Sequence, residues 1–147
     1  MKRETKFRGR RTDNGEWVYG NLIIEDDECY ISTGFPGIAL DEGYWANSYG
    51  YPPSSSDFHI TNIHEVIPKT VGQFTGLKDK NDKEVYEDDI IKFCDDPHYC
   101  YNCTVKYDDE RLTWIADEVG NFMEDLWEFE WEFAEVVGNI HDDSEML

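Results

Sequence analysis

Between positions 94 and 103 the chain carries four side chains able to ligate a soft or borderline metal: Cys94, His98, Cys100 and Cys103. Cys100-Tyr101-Asn102-Cys103 has the C-x2-C spacing of a zinc knuckle, and a Cys3His site needs thiolates and an imidazole converging at about 2.0–2.3 Å. The usual second C-x2-C or H-x3-H pair is absent, so zinc would have to be held by this one segment. The plainer expectation is free thiols. The four cysteines are an even number, but the N-terminus lacks the apolar core of a secretory signal, which places the chain in a reducing, cytoplasmic setting.

Other chemistry is weakly drawn. His59 and His64 flank an extended segment with no serine or cysteine motif nearby, so they read as structural histidines. Carboxylate pairs occur throughout and single out no acid/base couple. No phosphate loop or nucleophile elbow is present. The expectation is therefore no catalytic residue and no cofactor apart from the zinc alternative, which would make the protein an uncharacterised metal-dependent enzyme.

Charge is the main compositional fact. There are 33 acidic and 13 basic residues, a formal net charge of −20. Residues 1–11 hold six bases (Lys2, Arg3, Lys6, Arg8, Arg10, Arg11) against Glu4, whereas residues 108–147 hold 14 acids against Arg111. Such a field repels nucleic-acid backbones and favours basic partners, so no direct DNA binding is expected. Glu128, Glu130 and Glu132 alternate with Trp127, Phe129, Trp131 and Phe133. As a strand, this stretch sets the glutamates on one face and the aromatics on the other. Such a row could imitate phosphates and occupy a DNA-binding protein; the bland alternative is a solvated face over a buried aromatic one.

The elements that must position these residues are short strands. Asp13-Asn14-Gly15 between extended segments predicts a hairpin over residues 5–24 with a type I′ turn. Strands follow at 29–33, 58–60 and 63–67, the last stopped by Pro68. Residues 34–57, rich in Gly, Pro and Ser, read as a long loop carrying Tyr44, Trp45, Tyr49 and Tyr51. These rings either pin the loop to the core or form a contact surface. From Thr70 the pattern predicts a strand, a bend at Gly76, a turn at 78–82, and strands at 84–86 and 90–93. Residues 95–102 read as a loop and 104–107 and 112–116 as strands. Residues 118–126 read as a short helix bearing Phe122, Met123, Leu126 and Trp127 on one face. No apolar run reaches the roughly 20 residues of a membrane helix, so no membrane association is expected.

Five fragments taken together resemble the YopX family of phage and prophage proteins. They are Lys6-Phe7-Arg8, Gly15-Glu16-Trp17-Val18-Tyr19-Gly20, the central run from Thr70 to Asn81, Glu84 to Ile91, and Glu135-Val136-Val137-Gly138-Asn139-Ile140. They occur in the family's order. Two positions depart from it: the family usually has glycine where this chain has Asp82 and Asp88. The resemblance implies a mainly β protein of phage or prophage origin whose C-terminal half is a small SH3-like barrel, and it implies no reaction.

The combined expectation is an α+β, mainly β fold, a single YopX-like domain. Residues 1–67 form an N-terminal β-hairpin subdomain and 68–147 a C-terminal SH3-like barrel. Its function is that of a non-catalytic accessory protein in the host cytoplasm, contacting an unknown protein partner and assembling with itself.

Overall fold

A computed structural model describes residues 4–33, 62–96, 99–118, 122–128 and 130–147. The long aromatic loop at 34–57 and the extended segment at 58–60 lie outside the described residues, as does His59. The chain forms two compact units, Phe7–Val71 and Met1–Lys6 with Gly72–Leu147. The protein is mainly β, and no α-helix occurs among the described residues.

In the first unit, β1 (Phe7–Arg10), β2 (Trp17–Glu25), β3 (Glu28–Ser32) and β4 (Ile63–Val66) form an antiparallel sheet in the order β4-β3-β2-β1. The first hairpin is the one expected, with Phe7 opposite Gly20 and Arg10 opposite Trp17. Its turn differs from the expectation: only Gly15 is left-handed, at φ 73°, so this is not a type I′ turn. The two-residue type I′ pattern falls instead on Asp26 and Asp27, at φ 46° and 72°, between the paired Glu25 and Glu28. The sheet curls, since Val66 bridges Arg11 and Ile67 N–H donates to Arg10 O at 2.8 Å. Ile31 and Val66 are buried inside it. A 3-10 turn at Pro68–Thr70 ends the unit, and Thr70 Oγ1 accepts from Arg10 N–H at 2.9 Å while donating to Ile67 O.

In the second unit, β5 (Gly72–Lys78) and β6 (Glu84–Tyr86) form a hairpin. The ladder steps from Phe74 opposite Tyr86 to Lys78 opposite Glu84. The extra residues are absorbed at Gly76, whose φ of 90° is the expected bend. Five further strands make an antiparallel sheet in the order β10-β9-β8-β7-β11. They are β7 (Asp89–Asp96), β8 (Tyr99–Asp108), β9 (Thr113–Glu118), β10 (Phe122–Asp125) and β11 (Ala134–Asn139). Val85, Ile91, Phe93, Cys103, Val105, Ala116, Leu126, Ala134 and Val136 form its core.

Three expectations are corrected here. Residues 95–102 are not a loop, because β7 and β8 run through most of them, pairing Lys92 with Asn102 and Cys94 with Cys100. Residues 118–126 are not a helix: Phe122 pairs with Glu118 and Asp125 with Ile115. A helix of this length is marginal unless packing supports it, whereas β9 offers a free edge for a ladder. The stretch 127–133 is not a strand either. Two 3-10 turns, Leu126–Glu128 and Trp131–Phe133, carry the chain from β10 back to β11 beside β7. Leu126 is buried at 1% exposure while Trp127 is 70% exposed, so neighbouring side chains in this connection point to different environments.

Candidate functional site

The cysteines come first. Cys94 and Cys100 are direct cross-strand neighbours and are joined by a disulfide, which corrects the free-thiol expectation for this pair. Cys103, three positions beyond Cys100 on the same strand, faces the opposite side and is buried in the core. The C-x2-C spacing converges sulfurs only across a turn, and here it lies on a straight strand. His98 lies outside the described residues. Among the described residues, no group of three or more His, Cys, Asp or Glu side chains is placed to hold a metal ion.

Glu128, Glu130 and Glu132 are all exposed, but they sit on and between the two 3-10 turns rather than at strand spacing. Trp131 is partly buried, with its indole Nε1–H donating to Leu126 O at 2.9 Å, and Phe133 is 47% exposed. Phe129 lies outside the described residues. The regular row of carboxylates opposite a buried aromatic face is therefore absent.

The polar groups of the central motif hold turns. Asp79 is 6% exposed; its Oδ1 accepts from Asn81 N–H and Lys83 N–H at 2.8 and 3.0 Å, and its Oδ2 from Val136 N–H at 2.9 Å. Burial alone would raise its pKa, but these three donors, joined by the Lys83 charge, outweigh it and hold the carboxyl below its ordinary value. One side chain thus closes the β5–β6 turn and fastens it to β11. Buried Asp89 accepts from Tyr86 N–H at 2.8 Å across the next turn. Glu84 accepts from Lys6 Nζ and from the Tyr86 hydroxyl, both at 2.7 Å; these bonds overcome its burial and lower its pKa. Asp82 and Asp88, the two departures from the resembled pattern, are left-handed at φ 64° and 66°. Asp88 Oδ2 also lies 3.0 Å from His141 Nε2.

Lys2 and Arg3 lie outside the described residues, and the four described bases of the N-terminal run make local contacts. Lys6 pairs with Glu84, Arg8 is buried with its guanidinium 4.9 Å from the Trp17 ring centre, Arg10 Nε donates to Gly15 O, and Arg11 pairs with Asp13. Such positions do not make a phosphate-facing stripe.

Among the described residues, surface clefts of the second unit include two with defined linings. One, of about 190 Å3, is lined by Lys80, Lys92, Cys94, Glu132, Phe133 and Glu135. Its two lysines and two glutamates balance, with Lys80 paired to Glu135, so it discriminates little by charge. The other, of about 230 Å3, is lined by Gln73, Glu87, Tyr107 and Trp114. Tyr107 and Trp114 are opposite each other on β8 and β9, with rings 5.1 Å apart at 70°. Sequence reasoning missed this pair because it began the second strand at residue 112. The ladder actually closes at Asp108 opposite Thr113, with Leu112 left-handed at φ 57°. The alternation of 104–107 was the available signal, and only the turn length was needed to bring the rings together.

Fold and motif together define the class. The chain belongs to the YopX family, whose model, described as YopX protein, matches residues 6–147. The crystal structure of protein EF1440 from Enterococcus faecalis is similar in fold, with a TM-score of 0.57 over 98% of each chain and 22% identity. No curated protein matches the chain.

Proposed function

We propose that this protein is a phage or prophage accessory protein that works through protein contacts and assembles with itself, without catalysing a reaction. The observation that carries this reading is the exposure of three large apolar side chains at separate places on the second unit: Tyr99 at the start of β8, Leu112 in the turn beyond its far end and Trp127 in the connection to β11 are 66%, 75% and 70% exposed. Exposed side chains of this size mark contact surfaces when they are not scattered singly, and aromatic residues are the strongest anchors of protein interfaces. Tyr99 is not isolated, since its ring is 6.2 Å from Tyr101, which in turn lies 5.5 Å from Phe93. The motif carboxylates serve turns and backbone donors, which is consistent with a binding scaffold.

The second unit reads further as an SH3-like barrel. In support, β7 to β10 form a four-strand meander, a 3-10 connection follows, and β11 returns to pair with β7. Light scattering over a range of concentrations tests self-assembly. A mass that rises to a defined oligomer is expected, and a strict monomer throughout would refute it.

An acidic inhibitor of a DNA-binding protein is the second reading, favoured by the exposed Glu128, Glu130 and Glu132 and by the 14 acids after residue 107. It requires an irregular acidic surface in place of a strand-spaced row. Capture of a DNA-binding protein from host lysate at physiological salt, competed by DNA, is its expected signature; capture unaffected by DNA counts against it.

A further inference from the structure

We propose that the Cys94–Cys100 disulfide is a site of reversible S-thiolation, at which a low-molecular-weight thiol exchanges onto Cys100 and Cys94 departs as a thiolate, whether or not the protein assembles with itself. Solvent-exposed disulfides are the exchangeable ones, and Cys100 is exposed. Opening the bond does not require unfolding. It closes a loop of only six positions, which restricts the unfolded chain little, and Phe93 stays paired with Tyr101 and Lys92 with Asn102 beside it. Cys103 faces the core and takes no part.

Access distinguishes the two sulfurs. An attacking thiolate approaches in line with the S–S bond, from the side away from the sulfur that leaves. For Cys100 that side is the edge of β8 away from β7. The β8–β9 ladder reaches only to Thr104 opposite Asp117, so among the described residues no strand flanks Cys100 there. For half-buried Cys94 the corresponding side is closed: Ala134 of β11 pairs with the preceding Phe93, and Glu132 and Phe133 line the cleft beside Cys94. A thiolate entering by that route meets a ring and a carboxylate of its own sign.

Cys94 leaves beside a cation. Lys92, two positions earlier on the same face of β7, lines the same cleft. Lys80 there is paired to Glu135, and Glu132 with the following Asp95 and Asp96 opposes the developing charge, so the leaving thiolate depends on Lys92. In the exchange, the small thiolate bonds to Cys100 Sγ as the Cys94–Cys100 bond breaks. The electron pair departs on Cys94 Sγ, which then takes a proton from water. Return attack by Cys94 on Cys100 expels the small thiol and restores the disulfide, and neither direction needs an outside oxidant or reductant.

The test treats the oxidised full chain with 2-mercaptoethanol in native buffer, traps it early with acid and N-ethylmaleimide, and maps both adducts by tandem mass spectrometry. Mercaptoethanol is expected predominantly on Cys100 and maleimide on Cys94. Lys92→Gln should slow the exchange by roughly two- to threefold relative to Lys106→Gln, the effect of a modestly more basic leaving thiol. The Lys106 variant removes the same charge from the same face of the sheet, farther along β8 from Cys100. Each variant's amide spectrum reports whether it has kept the fold.

Mercaptoethanol found on Cys94 or divided evenly between the two sulfurs would overturn the proposal. So would exchange that begins only where urea unfolds the chain, or a Lys92→Gln protein that exchanges as fast as Lys106→Gln. The mapping on the parent protein needs no variant, so it decides the matter of which sulfur is attacked even if a substitution disturbs the sheet.

Discussion

At the scale of single residues, Asp79 ties more of the second unit together than any other carboxylate in the central motif. Its three backbone donors leave little room for substitution. Asp79→Asn keeps one oxygen but turns an amide N–H2 toward a backbone donor, so a loss of about 1–3 kcal/mol is expected from urea unfolding. The pH dependence has a definite sign. Asp79 and Glu84 both have pKa values lowered by folding, so their stabilisation is present above the ordinary carboxylate pKa and drains away as pH falls through the folded values. Denaturation midpoints should therefore drop below about pH 4, and less steeply in Asp79→Asn than in the parent.

The left-handed positions give a second residue-scale prediction. Gly76 has open space where a Cβ would stand, so Gly76→Ala should cost only the conformational penalty, about 1–2 kcal/mol. Gly20→Ala must cost more, because its Cβ would fall 2.0 Å from Ser32 O across the β2–β3 ladder. Thermal melts of the two variants should rank them in that order. Asp82 sits at φ 64° with an exposed ion pair to Lys78, so Asp82→Gly should leave stability unchanged or raise it by up to about 1 kcal/mol.

At the scale of elements, the hairpin of β7 and β8 organises the sheet. Its disulfide closes a short loop, Cys94 to Cys100 being six positions apart, and loops of that length yield about 2 kcal/mol from restricting the unfolded chain. Reduction should lower the unfolding free energy by that amount without changing the amide spectrum of the core, since β7 and β8 remain paired on both sides of the bond. The connection from β10 to β11 depends on Leu126, which is buried while its neighbour Trp127 is exposed. Leu126→Ala should cost about 2–5 kcal/mol, and Trp127→Ala should leave folding stability nearly unchanged while weakening the proposed self-association. A Trp127→Ala protein whose mass distribution matches the parent's would remove Trp127 from the proposed interface.

At the scale of the molecule, charge separates the two kinds of contact surface proposed above. The net charge of −20 lies mostly outside residues 1–11, and the bases at 6, 8, 10 and 11 make local contacts within their own units. Contacts made through the acidic surface should therefore weaken as ionic strength rises, whereas contacts made through Tyr99, Leu112 and Trp127 should persist. Mass distributions at low and high salt measure which surface dominates assembly.

Much of the β architecture was legible because it depends on local patterning. The first hairpin, the stop at Pro68, the bend at Gly76 and the strand at 84–86 follow from turn residues and period-2 alternation. The family was legible for the same reason: the bend at Gly76 and the turn closed by Asp79 require particular residues at particular places, and Asp82 and Asp88 depart from the pattern without breaking the turns. Connections whose conformation depends on distant partners were not legible. Residues 118–133 fit a helix followed by a strand by periodicity, yet the described residues among them form half a hairpin and two tight turns because β9 supplied an edge and β11 had to reach β7. Tyr107 and Trp114 became a cleft wall only when the ladder fixed their register, and Cys94 met Cys100 rather than Cys103 because a strand sends positions three apart to opposite faces. The sequence by itself determined the turns, the alternating strands and the charge. Tertiary pairing decided which side chains met, because register across strands is a property of two segments at once.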